Sequence, residues 1–124
     1  MRLSPEEIDN LTTALAQFTG SENWFRHDLL RSHRYTDGVR YLAEAAGAYW
    51  LIDAIFSHQV TPSVAREDFQ AWELQRNEDG SWTLAATDGN DRFIAVQQIE
   101  HSDFPLDKVT LFLIDSCLLL PTEY

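Results

Sequence analysis

Four histidines (His27, His33, His58 and His101), one cysteine (Cys117) and 20 Asp and Glu residues are the raw material for metal or acid–base chemistry in this chain. A metal site needs ligands at spacings that one helix turn or one hairpin can bring together, and HExxH, paired CxxC and facial-triad patterns are all missing. No metal site and no cofactor are expected. Asp53 is the carboxylate of interest, because a helical projection places it beside Tyr49, Ile52 and Phe56 on an apolar face. A carboxylate there needs a hydrogen-bond partner or a raised pKa, as a general base in a pocket or as a satisfied core anchor. Ser57-His58 has no GxSxG elbow to make a nucleophile of the serine. The turn Asp88-Gly89-Asn90-Asp91 resembles part of a calcium loop but lacks the alternating ligands and closing glutamate. Phosphate-cradling glycine patterns are also missing. Arg40 and Glu44 read as an i, i+4 surface pair.

The elements that must carry these residues follow from periodicity. Ser4, Pro5 and Glu7 form a capping box with proline at the first helical position. Ile8, Leu11, Leu15 and Phe18 then recur at helical spacing up to Gly20, a left-handed stop. Residues 21–34 show no clean period and read as irregular. From a cap at Thr36 or Asp37, the stretch YTDGVRYLAEAAGAYWLIDAIFSHQ predicts one long, largely buried helix to about Ser57. Tyr41, Leu42, Ala45, Ala46, Tyr49, Ile52 and Phe56 share one side of it. Gly47 in its middle predicts close packing by another element. After a short helical turn at Thr61-Pro62 the period changes to two. Strands are predicted over Phe69 to Gln75, Trp82 to Thr87, Arg92 to Glu100, Val109 to Ile114 and Cys117 to Leu120, with turns at Asn77 to Gly80 and Asp88 to Asp91. The fold expected is α+β: an antiparallel four- to five-stranded meander sheet with the N-terminal helices packed on one face, as a single domain over 1–124.

Composition narrows the function classes. Nine Lys and Arg against 20 Asp and Glu give a formal net charge of −11, which repels nucleic acid and anionic membranes and favours basic partners. A lone cysteine in an apolar run cannot build a disulfide framework and suits a reducing compartment. The start MRLSPEEID turns at once to proline and acids, unlike a secretory signal, and no apolar run approaches the roughly 20 residues of a membrane span. A soluble, cytoplasmic protein is expected, with no direct nucleic-acid or membrane binding.

The segments FTG (Phe18 to Gly20), Trp24 with Arg26-His27, YTDGVRYLAE, GAYWLIDAIFSHQ, DGN, DFPL from Asp103 and LLLPTEY together resemble an uncharacterised family of small bacterial domains. The resemblance covers most of the chain. It implies a setting of bacteria, plasmids and phages, and it brings no catalytic residue with it. Among these motifs Tyr35, Thr36, Asp37, Trp50, Asp53, His58, Gln59 and Asp103 are polar or aromatic, and with Tyr49 they make up the candidate surface or pocket. Charge, size and resemblance lead to one expectation: a non-enzymatic acidic interaction protein of a mobile element. Its partner would be a basic host or defence-system protein, with an anti-CRISPR-like inhibitor as one concrete form. The alternative is a small enzyme or ligand-binding domain with a pocket around Asp53 and His58.

Overall fold

The computed structural model describes residues 3–19, 23–27 and 32–124. Helix α1 (Pro5–Ala16) starts at the expected capping box: the Ser4 hydroxyl accepts from the Glu7 N–H at 3.1 Å and the Glu7 carboxylate accepts from the Ser4 N–H at 3.0 Å. Those two bonds favour the ionised form and hold Glu7 below the usual carboxylate range. The expected stop at Gly20 lies outside the described residues.

Two short strands occupy part of the segment read as irregular: β1 (Trp24–Arg26) and β2 (Arg34–Thr36). Three residues each are too short for a period to register. The predicted long helix is two helices, α2 (Asp37–Ala46) and α3 (Tyr49–Ser57). Of the two caps expected for α2, Thr36 and Asp37, Thr36 takes the role, its hydroxyl accepting from Val39 N–H at 3.3 Å. Gly47 ends α2 in the left-handed conformation (φ 62°, ψ 39°), and a Cβ there would meet nothing within 4 Å. It is a helix stop and not a packing glycine, which corrects both the single-helix expectation and its reason. A 3-10 turn (His58–Val60) and a short helix α4 (Pro62–Ala65) follow.

The remaining strands are β3 (Phe69–Arg76), β4 (Trp82–Thr87), β5 (Phe93–Ile99), β6 (Lys108–Ile114) and β7 (Cys117–Leu119), and a 3-10 turn covers Pro121–Glu123. All seven strands form one sheet in the order β1-β2-β7-β6-β3-β4-β5. The α+β class stands, but a four- to five-stranded antiparallel meander does not. The sheet is mixed, because β2 runs parallel to β7 (Arg34 opposite Cys117), and β6 returns to pair with β3 instead of β5. The reason lies in side-chain polarity. β6 is apolar on both faces and suits an interior place, whereas β5 carries Gln97 and Gln98 and suits an edge.

Helices and sheet meet through the alternate residues Trp72 and Leu74, Trp82, Leu84 and Ala86, Leu111 and Leu113, and Leu118, which form one core with Val39, Leu42, Leu51, Ile55 and Phe56. Burying one such apolar side chain contributes about 1.5–3 kcal/mol, so this layer is a main source of the fold's stability. The predicted alternation in β5 fails at one point. A bulge at the Ala86/Thr87 level sets Phe93 opposite Thr87 and Ala95 opposite Ala86. Ile94 and Ala95 consequently both pack on the core, and Val96 is turned outward.

Candidate functional site

Asp53 lies on α3 with its side chain 68% exposed, hydrogen-bonded at 2.7 Å to Nε2 of the buried His27 just beyond β1. A hydrogen-bond partner exists, a histidine and not the Tyr, Trp, Arg or backbone group that the apolar face suggested, and the expected burial does not. Leu51, Ile52, Ile55 and Phe56 are the buried residues of α3, and Asp53 sits about 130° round the helix from the centre of that arc. The rings of His27 and His33 both meet the edge of Phe56, with centroids 5.0 and 5.3 Å away. Partial burial, and secondly the nearness of His27, lower the pKa of His33. Ser32 Oγ lies 3.0 Å from His33 Nδ1.

His58 belongs elsewhere. Its ring packs on Trp72 and its Nε2 lies 2.8 Å from Gln97 Oε1 on β5, at the opposite edge of the sheet from the His27 side. Asp53 and His58 are therefore each engaged by different partners. Gln59 pairs reciprocally with the buried Gln70, each amide donating to the other at 2.9 Å, and Trp72 Nε1 also donates to Gln70 Oε1 at 2.9 Å. Gln70 donates further to the Val64 carbonyl, so this amide network ties α3 and α4 to β3. The signal for Gln70 was there and not used: the period-two pattern of β3 puts it on the inward face with Trp72 and Leu74, where a polar side chain needs a hydrogen-bond partner.

The motif residues Tyr35, Thr36 and Asp37 surround the start of α2. Thr36 Oγ1 donates to Glu123 Oε1 at 2.7 Å, and the same oxygen accepts from Leu120 N–H at 2.9 Å. A Cβ on Gly38 would stand 2.6 Å from that oxygen and 2.8 Å from Leu120 Cδ1, so glycine is what lets the segment 120–124 dock on α2. The YTDG and LLLPTEY motifs thus meet in one structural lock. Tyr49 donates to Glu44 at 3.1 Å, beside the Arg40–Glu44 pair. Trp50 and Asp103 line a shallow depression of about 350 Å³ with Ile99, His101 and Ser102. The nine candidate residues therefore fall into several separate places. Among the described residues, no three His, Cys, Asp or Glu side chains gather as a metal-ligand set, and every deeply buried side-chain N or O atom has a hydrogen-bond partner.

A different feature unifies the second face of the sheet. Strand register places Phe69 and Ala71 of β3 beside Ile114 and Phe112 of β6, with Leu119 of β7 next to Phe112. On the other side Ala85 and Thr87 of β4 lead to Val96 and Phe93 of β5. Tyr124 packs over Phe69 and Phe112, with ring centroids 5.9 and 5.6 Å away. Trp24 (52%), Phe93 (65%), Val96 (55%) and Tyr124 (77%) are more than half exposed on or beside this face. Trp24, Arg34, Cys117, Leu119 and Tyr124 border a depression of about 380 Å³, where the Arg34 guanidinium lies 5.8 Å from the Trp24 ring centroid. Burial pushes the Cys117 thiol above its usual pKa, against the pull of Arg34. Six carboxylates lie in the turns at the strand ends: Glu78 and Asp79, Asp88 and Asp91, Asp107, and Asp115. Bases stand on or beside the same face as well: Arg76, which pairs with Asp107, Arg92, which pairs with Asp88 and Glu67, Lys108, which pairs with Glu73, and Arg34.

Fold and surface together define a two-layer α+β domain whose mixed sheet is covered by helices on one face. The chain belongs to a family of unknown function, DUF6876, whose model matches residues 9–124. No curated protein and no solved structure matches it.

Proposed function

We propose that this domain is a non-catalytic interaction module that binds a basic protein partner on the open face of its sheet. The observation that carries this reading is the arrangement of that face: an apolar and aromatic patch from Trp24, Leu119 and Tyr124 through Phe69 and Phe112 to Phe93 and Val96, beside a polar part with the Glu73–Lys108 pair, Thr83 and Thr110. Protein interfaces share that anatomy, with aromatic anchors at the centre and polar groups around them. The depression beside Trp24 and Arg34 is a place for one anchoring side chain of the partner. The net charge of −11 supports a cationic partner and disfavours a nucleic acid as the direct ligand. Basic, nucleic-acid-binding proteins of a host or its defence systems present the positive charge that the chain's surplus of acids complements, so an inhibitor of such a protein is the concrete form of the proposal.

A photocrosslinking residue tests it when placed at Leu119 on the open face, with a second at Ser57 on the helical side as control. In cells of the native host the Leu119 probe should capture a basic protein that the Ser57 probe does not. The association rate of the purified pair should fall as salt rises, because screening weakens the steering attraction. Capture of the same protein from both faces, or an association rate indifferent to salt, would overturn the reading.

A further inference from the structure

Two arginines stand directly opposite one another where β1 pairs with β2, Arg26 in register with Arg34. His27 N–H donates to the His33 carbonyl at 2.9 Å and Asp37 N–H to the Asn23 carbonyl at 3.2 Å, so these alternate pairs carry the ladder bonds. The Arg26–Arg34 pair falls between them as a non-hydrogen-bonded pair, the kind in which cross-strand side chains come closest. Like charges so placed repel one another. The chain has 20 acids with which to relieve them, and Arg40, Arg76, Arg92 and Lys108 each have a carboxylate partner. Among the described residues Arg26 and Arg34 have none. Tyr35, the next residue along β2, packs on the core, so Arg34 and the residue across from it lie on the open face. The depression of about 380 Å³ is at the same place. Arg34, Trp24 and Tyr124 border it, and Ile114, Cys117 and Leu119 add apolar surface.

We propose that this corner of the open face binds a small arylalkyl carboxylate, its carboxylate held by Arg34 and Arg26 and its apolar body lying on Trp24 and Leu119. A guanidinium offers a fork of N–H donors that matches the two oxygens of a carboxylate, and an anion placed between two guanidiniums turns their repulsion into attraction. The Trp24 and Tyr124 rings supply aromatic surface for the body of the ligand. The volume lies within the range of about 300–1,000 Å³ usual for small-molecule sites. A monoanion fits better than a doubly charged phosphate, because Asp115 and Glu123 also border the depression and the chain as a whole carries −11. The site stands on the two arginines and the depression, and does not need the protein partner proposed above. A ligand here and a partner's anchoring side chain exclude one another.

An NMR titration of the full chain with phenylacetate at low salt tests the proposal, since screening weakens contacts to exposed arginines. Saturable shifts of the Trp24 indole N–H and of Leu119 are expected, with a millimolar or tighter Kd, while neutral phenylacetamide produces none and phenyl phosphate binds more weakly than phenylacetate. Arg26→Gln and Arg34→Gln should each weaken phenylacetate by about tenfold, with an unchanged circular dichroism spectrum, because each removes a charge-assisted contact. Arg34→Lys, which keeps the charge and loses the fork, serves where Arg34→Gln does not fold and should also weaken binding. No saturable shift with phenylacetate, an amide that binds as well as the acid, phenyl phosphate binding more tightly than phenylacetate, or an affinity unchanged by the arginine substitutions would overturn the proposal.

Discussion

His33 is where the environment of one side chain yields a sign that an experiment can read. Its ring is partly buried against Phe56, and that burial, reinforced by His27, holds its pKa below the ordinary histidine value of about 6.5. As pH falls through that value the unfolded chain takes up a proton that the folded chain refuses. The unfolded state then binds more protons, and stability drops until the folded His33 is protonated too. Denaturant unfolding at about pH 7.5 and 5.5 should therefore show a larger loss for the natural chain than for His33→Gln. Equal losses would mean that the ring is solvated in the fold. Local residue chemistry was largely legible in advance: Ser4 with Glu7 and Arg40 with Glu44 lie three or four positions apart and were expected as found, and of the two caps read for α2 the structure uses Thr36. The His27–Asp53 bond spans 26 positions, and no spacing rule reaches that far.

At the scale of elements, the strands were readable wherever one face is buried and the other is not. β4 shows this with Trp82, Leu84 and Ala86 inward. Their order was not readable, because neighbours in sequence pair by default and only tertiary burial sends β6 to β3. The helical stretch failed in its second half for the opposite reason. Whereas α2 is amphipathic, α3 (YWLIDAIFS) is apolar nearly all round, so hydrophobicity does not locate its buried arc, and Asp53 was placed inward when it points out. Gly47 is the decisive residue of that stretch. With φ at 62° it terminates α2, and the Ala48 N–H then bonds back to the Ala43 carbonyl at 2.8 Å. A side chain there meets no steric obstacle, so Gly47→Ala isolates the backbone cost of a left-handed residue, about 1–2 kcal/mol. Gly47→Asn should cost less, since asparagine tolerates that region. Thermal melts ranking Gly, Asn and Ala in that order would support the stop; an alanine variant as stable as the natural chain would mean that α2 and α3 join without strain.

For the whole molecule, the balance of charge decides how stability responds to salt. Ion pairs and like-charge repulsion are both screened by added salt, and they push in opposite directions. Among the described residues, the Arg and Lys pairs include Arg40–Glu44, Arg76–Asp107, Arg92 with Glu67 and Asp88, and Lys108–Glu73, and each has a basic group about half exposed. Exposed pairs of this kind contribute about 0–1 kcal/mol apiece, so screening them removes little. Against them stand 20 acids and nine bases, a surplus of like charge that the folded state compresses into a smaller volume than the unfolded chain does. Repulsion therefore dominates. Raising NaCl from about 10 to 300 mM, which shortens the screening length from about 30 Å to under 10 Å, should raise the melting temperature. A chain carrying Glu78→Lys and Asp91→Lys, two turn positions at the sheet rim, should show a smaller rise because its surplus is smaller. A melting temperature that falls with salt would show that the ion pairs outweigh the repulsion, and would also remove the electrostatic reason for the chain to seek a basic partner.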